Sequence, residues 1–118
     1  MEKTDAVAAL SALAQDNRLD VFRLLVQAGR EGMAAGAVAE ALGLAPNTLT
    51  FHFDRLRIAD LVMVRREGRS MIYAARYETM NALLNFLTEN CCKGAPCAPN
   101  GQRAGQGKPA RRSNKVQA

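Results

Sequence analysis

The sequence predicts a mainly α-helical domain carrying one small β-hairpin. Three observations lead there. Apolar residues recur at helical spacing over residues 5–14, 16–29, 36–42, 46–59 and 77–90. Between the last two of these, LVMVRR (61–66) and MIYAA (71–75) are rich in β-branched and apolar residues and flank EGRS. The stretch GLAPN (43–47) breaks the helical pattern with Gly43 and, three positions on, Pro46, and reads as a turn.

Taken in order, Val7, Leu10, Leu13 and Ala14 give the first helix its expected inward face. Asp16 is the expected N-cap of the second, which runs through Leu19, Phe22, Leu25 and Val26 to a glycine stop at Gly29. GAVAEAL (36–42) is a short third helix. Pro46 suits the first turn of the fourth, where its missing N–H costs nothing. Leu49, Phe53, Leu56 and His52 are expected on the inner side of that helix, which reaches about Ala59. The hairpin follows, with a basic tip. The fifth helix carries an apolar stripe of Met80, Leu83, Leu84 and Leu87, and Gly94 and Pro96 are expected to stop it. Two short helices joined by a tight turn and followed by a basic hairpin describe a winged helix-turn-helix. The expected organisation is a DNA-binding and dimerisation domain over 1–92, then a thiol-containing turn and a basic disordered tail over 93–118.

The chain has 118 residues, enough for one compact domain. No run of about 18 apolar residues is present, so no membrane span is expected. The N-terminus MEKTDAVAALSALAQD lacks the basic start and apolar block of a signal peptide, and the three cysteines are an odd number. Both point to the cytoplasm, where thiols stay reduced. The net charge of +5 is uneven. Arg103, Lys108, Arg111, Arg112 and Lys115 in the tail account for +5 by themselves, so the overall charge says little about nucleic acid. More telling is residues 46–77, where Arg55, Arg57, Arg65, Arg66, Arg69 and Arg76 face only Asp54, Asp60 and Glu67.

A recognition helix enters the major groove with its N-terminal residues against base edges. Those residues are Asn47, Thr48, Thr50 and Phe51, with His52 beside them. Asn reads adenine, and Thr donates, accepts or meets a thymine methyl. Arg55 and Arg57 lie further along, suited to phosphates, and Arg65, Arg66 and Arg69 on the hairpin suit the flanking backbone or minor groove. A small helical domain with a solvated basic face carries the same pattern. His52 is the only histidine, without a second ligand nearby, and suits a DNA contact or a packing role better than a metal.

NCCKGAPC (90–97) holds every cysteine of the chain: Cys91, Cys92 and Cys97. Soft thiolates select soft metals and metalloids. Adjacent cysteines close only a strained disulfide ring, so the pair suits a ligand of open geometry. Gly94 and Pro96 turn the chain, which lets Cys97 approach the pair. Three thiolates suit three-coordinate arsenite or antimonite, whereas zinc takes four ligands. An incidental thiol-rich tail and a redox switch are the alternatives. Enzyme chemistry is not expected: the sequence holds no cysteine–histidine arrangement in a sensible context, no phosphate loop and no paired carboxylates.

LAQDNRLDVFRLL (13–25), VAEALGLAPNTLTFHFDRL (38–56) and DLVMVRREGRSMIYAA (60–75) together resemble the signature, helix-turn-helix and wing of the ArsR/SmtB family of metalloregulatory repressors. The resemblance covers about residues 5–92. It implies a winged-helix homodimer formed through the first and last helices. That dimer binds double-stranded operator DNA and leaves it when an inducer binds. The Cys-x-Cys of the best-known arsenic sensors is missing from the recognition region. The zinc-type site is missing too, since residues 77–90 hold Glu78 and Glu89 but no histidine. Cys91, Cys92 and Cys97 instead resemble the branch whose arsenite site follows the last helix. The resemblance therefore implies an As(III)-responsive repressor controlling its own arsenic-resistance operon. Related members with two such thiols respond to methylated arsenite, so Cys97 separates inorganic from organic inducers. Induction by methylated arsenite, antimonite (Sb(III)), another soft metal or oxidation remains the nearest alternative. A thiol-rich metal-buffering or interaction protein without specific DNA binding is an alternative of another class.

Overall fold

The computed structural model describes residues 1–95. Met1–Leu87 form one compact unit and a second begins at Thr88. The first unit holds α1 (Lys3–Leu13), α2 (Asp16–Ala28), β1 (Met33–Ala34), α3 (Ala35–Leu42), α4 (Pro46–Ile58), β2 (Val62–Glu67), β3 (Ser70–Ala75) and α5 (Tyr77–Leu87). It is the expected winged helix-turn-helix, with one strand more than expected.

α1 packs through small residues. Ala6, Ala9 and Ala12 are its buried positions, while Val7 and Leu10 are exposed. This corrects the expected face: alanine at every third residue lets α1 approach the core closely, and its larger apolar side chains are turned outward. Arg18 stitches α1 to α2, its Nε donating to the Ala12 carbonyl at 2.7 Å. The N-cap of α2 is Gln15, whose side chain accepts from the Arg18 N–H at 2.9 Å, and not Asp16. Asp16 sits instead in the first turn, where a negative charge complements the helix dipole. Val21, Phe22 and Leu25 bury the inner face of α2, and Gly29 ends it with φ 89°.

α3 ends on Gly43 in the left-handed conformation, and the Leu44 N–H reaches back to the Ala39 carbonyl at 3.0 Å. The turn leads directly to Pro46 at the first position of α4. Leu49, Phe53 and Leu56 fill the core from α4 together with Val38 from α3. The Phe53 ring stacks on Tyr73 with centroids 3.6 Å apart and planes 4° from parallel. The recognition helix is thereby seated on the sheet.

The sheet is antiparallel in the order β1-β3-β2. β2 and β3 form the hairpin, from Val62 opposite Ala75 to Glu67 opposite Ser70. β1 pairs Met33 with Tyr73 and Ala34 with Ile72. Gly32 makes this approach feasible: at φ +78°, a Cβ there would lie 2.3 Å from the Tyr73 carbonyl oxygen. Asp60 links α4 to the wing with φ 65°. Its carboxylate accepts from the Thr79 hydroxyl at 3.2 Å and pairs with Arg76 Nε at 3.0 Å, an ion pair off the hydrogen-bond line. At the other end of the sheet–helix junction, the Tyr77 hydroxyl donates to the Val26 carbonyl at 2.7 Å. α5 buries Leu83 and exposes Leu84 and Leu87. It ends at Leu87, before the expected stop at Gly94 and Pro96.

In the second unit, Cys91–Gly94 form a 3₁₀ turn. Asn90, Cys92 and Lys93 all have left-handed φ, so the thiol pair sits on tightly coiled backbone and not on a continuation of α5. Cys97 and the basic tail lie outside the described residues.

Candidate nucleic-acid interface

The first turns of α4 present Asn47, Thr48, Thr50 and Phe51, all exposed. Pro46 and the preceding turn set the angle at which they emerge. The Thr50 hydroxyl donates to the Pro46 carbonyl at 3.0 Å, which fixes its rotamer and leaves the oxygen outward as an acceptor. Phe51 is 52% exposed, and the Arg55 guanidinium lies 5.2 Å from its ring centroid. Arg57 is exposed and lies 3.8 Å from Asp54 one turn earlier. Such an exposed pair is weak and is readily given up for a phosphate.

His52 departs from the expected DNA contacts. It is 5% exposed, because its position on the helix turns it toward the core rather than the outer face. Neither ring nitrogen has a hydrogen-bond partner among the described residues. Burial, and then the charge of Arg18, hold its proton affinity below the ordinary value. The ring is therefore a neutral packing group that meets Phe51 edge-on, with centroids 5.8 Å apart.

The wing carries three exposed arginines in different states. Arg65 is braced: its Nε donates to Glu67 at 2.7 Å and its Nη2 to the Glu31 carbonyl at 2.9 Å. Arg66 donates to the Gly68 carbonyl at 3.1 Å, across the turn. Arg69 occupies the turn itself. Arg66 and Arg69 thus form no ion pair among the described residues, whereas Arg65 ties the hairpin to its surroundings.

Cys91 and Cys92 are exposed and form no disulfide. Their sulfurs are 3.5 Å apart. No cluster of three metal-ligating side chains occurs among the described residues, a range that ends before Cys97. No helix among them is long and apolar enough to cross a membrane.

Sequence reasoning missed two features of this surface. One is Arg18, an isolated arginine in sequence that the fold brings beside His52 and α4. The other is the outward face of α1. The alanine spacing 6, 9, 12 was the available signal for it.

Residues 13–65 match a family described as a helix-turn-helix domain. The nodulation protein NolR of Rhizobium meliloti is 33% identical over 84 residues, which span 71% of this chain and 66% of that protein. The uncharacterized HTH-type transcriptional regulator YceK of Bacillus subtilis (strain 168) is 32% identical over 78 residues, covering 66% of this chain and 77% of YceK. Among solved structures, the homodimeric winged helix-turn-helix domain of Mb0332 from Mycobacterium bovis, a "possible ArsR-family transcriptional regulator", superposes with a TM-score of 0.60. It is 27% identical, with 74% of this chain and 81% of that one covered. Sequence, fold and the exposed recognition helix agree: the chain belongs to the ArsR family of winged helix-turn-helix, DNA-binding transcriptional regulators.

Proposed function

We propose that the protein is an arsenite-responsive repressor that binds its operator as a homodimer and leaves it when As(III) is captured by Cys91 and Cys92, with Cys97 as third ligand. The observation that carries this reading is the pair of exposed thiols with sulfurs 3.5 Å apart, close enough for one metalloid to engage both. Asn47, Thr48, Thr50 and Phe51 read base edges, while Arg55, Arg57, Arg66 and Arg69 hold phosphates. Val7 and Leu10 on α1 and Leu84 and Leu87 on α5 supply the dimer seam; all four are large apolar residues left in solvent by the single chain.

The coupling follows from chain order. Thr88–Asn90 join the thiol pair to α5, so drawing the thiols onto one centre pulls on the end of a seam helix. A shift there changes the spacing of two recognition helices that must match successive major grooves. A coupling of about 3 kcal/mol lowers operator affinity roughly 150-fold. Fluorescence anisotropy of a labelled fragment from upstream of the gene tests the reading, at fixed salt. Wild type is expected to release DNA on adding arsenite, and Cys91→Ser and Cys92→Ser to stay bound. Release of both variants by arsenite, as in wild type, refutes the thiol site, and indifference of wild type refutes the inducer.

A further inference from the structure

Between α1 and α4 lies an open groove of about 360 Å³. Ala8 and Ala12 of α1, Arg18 of α2, and Phe51, Arg55 and Ile58 of α4 shape it. Two things set it apart from ordinary surface. Ile58 is 72% exposed and Phe51 52%, so one helix leaves two large apolar side chains in water on a single groove. The groove also has two guanidiniums and no carboxylate in its lining. Neither Arg18 nor Arg55 forms an ion pair among the described residues. Arg18 is held in place through Nε by the Ala12 carbonyl, which keeps its terminal nitrogens as a fixed fork. Arg55 is held over the Phe51 ring. A guanidinium fork matches a carboxylate with two parallel hydrogen bonds.

We propose that the α1–α4 groove binds a small aromatic carboxylate, its anion on Arg18 and Arg55 and its ring against Phe51, Ile58 and the alanines of α1. The volume falls within the range of small-ligand sites, and the mix of apolar walls with a few convergent polar groups is theirs as well. The charge complementarity selects an acid over a neutral or cationic ligand. Phe51 and Arg55 also belong to the proposed DNA contacts, so an occupied groove withholds both from the operator. The site is a second effector input, independent of the thiols.

Benzoate is the probe. The full chain, labelled with ¹⁵N and ¹³C, is titrated with benzoate and separately with inorganic phosphate while amide, methyl and His52 ring signals are followed by NMR. Saturable shifts are expected at Arg18, Phe51, Arg55 and Ile58. Arg55→Gln and Ile58→Asp each weaken binding about tenfold, by loss of a charged hydrogen bond or by placing a carboxylate against the anion. Both positions are exposed, so these variants keep the fold, which a thermal melt verifies. The His52 titration moves to higher pH in the complex, because the bound anion offsets the Arg18 charge. Absence of saturation, or shifts confined to another region, overturns the proposal. Phosphate binding as tightly as benzoate makes the groove a grip for the DNA backbone and likewise overturns it. So do benzoate shifts that appear only in a monomeric variant, since a second copy then covers the groove.

Discussion

Leu84→Glu separates the proposed dimer from the fold that carries it. Val7, Leu10, Leu84 and Leu87 are 55%, 43%, 52% and 55% exposed in the single chain. Burying a side chain of this kind from full exposure contributes about 1.5–3 kcal/mol, so the half still in water has about 1 kcal/mol to give. Two-fold symmetry counts each residue twice, which makes Leu84 responsible for about 2 kcal/mol of the association. Glutamate forfeits that and sets two carboxylates into an apolar seam, where desolvation costs roughly 2 kcal/mol more. The sum of about 4 kcal/mol raises the dimer Kd roughly a thousandfold. Sedimentation velocity over a concentration series reads the shift, and operator binding by anisotropy should fall with it, because a lone recognition helix reaches only one half-site. Circular dichroism should be unchanged, since the side chain faces solvent in the protomer. Leu19→Glu, at an α2 position 43% exposed, is the control and should leave the dimer intact. A Leu84→Glu protein that sediments as wild type does, at every concentration, refutes the α1–α5 seam.

Further outcomes are expected for stability and for DNA binding. His52 titrates below its usual value of 6.5 because of burial and then Arg18, so the unfolded chain takes up the proton first. Its contribution is complete above pH 6.5 and is lost as pH falls through the folded value, with a slope of at most about 1.4 kcal/mol per pH unit. Urea midpoints at pH 7.5 and 5.0 should diverge more for wild type than for His52→Gln, and equal drops refute this. Gly32→Ala should destabilise by about 2–4 kcal/mol, from left-handed strain and a clash with the Tyr73 carbonyl. Gly36→Ala has open space around it and should stabilise by about 0.5–1 kcal/mol in the same denaturation series. On DNA, Asn47→Ala should cost about 1–3 kcal/mol on the operator alone. Arg69→Ala should weaken operator and random DNA together and lower the salt slope by about one.

The helix-turn-helix was legible because its punctuation is local. Gly43 takes a left-handed φ that other residues resist, and Pro46 is tolerated only at a helix start, so both boundaries stand in the sequence. The hairpin was legible from its β-branched runs. β1 was not: two residues leave no periodicity, and their pairing depends on Gly32 passing close to β3, a long-range contact. The inward face of α1 misled, because hydrophobic size predicts burial only when a helix has one apolar partner. Here alanines meet the core and Val7 and Leu10 face away. The end of α5 was placed too late, since Thr88–Asn90 contain no glycine or proline to mark it. For the interface, residue types identified the exposed positions of α4 and the wing, and helical spacing with Leu49 and Leu56 placed His52 inward, which rules out the DNA contact its residue type suggested. The spacing of the Cys91 and Cys92 sulfurs depends on left-handed backbone at Cys92 and Lys93 that no residue type there announces.

The bracing of the wing bears on which operators the protein accepts. β3 is held on both sides, by β2 and by β1, and Arg65 ties the hairpin to the Glu31 carbonyl on the α2–β1 connection. Phe53 and Tyr73 fasten the same sheet to the recognition helix. In the proposed complex, a hairpin anchored at so many points does not swing to follow the double helix, so the distance from α4 to Arg69 acts as a ruler. Fitting that ruler falls to the DNA, and bending or twisting it to measure costs energy that depends on base steps the protein never touches. Selection among promoters then includes flexibility of the sequence flanking each half-site, and a stiff flank would be rejected even where every contacted base is right.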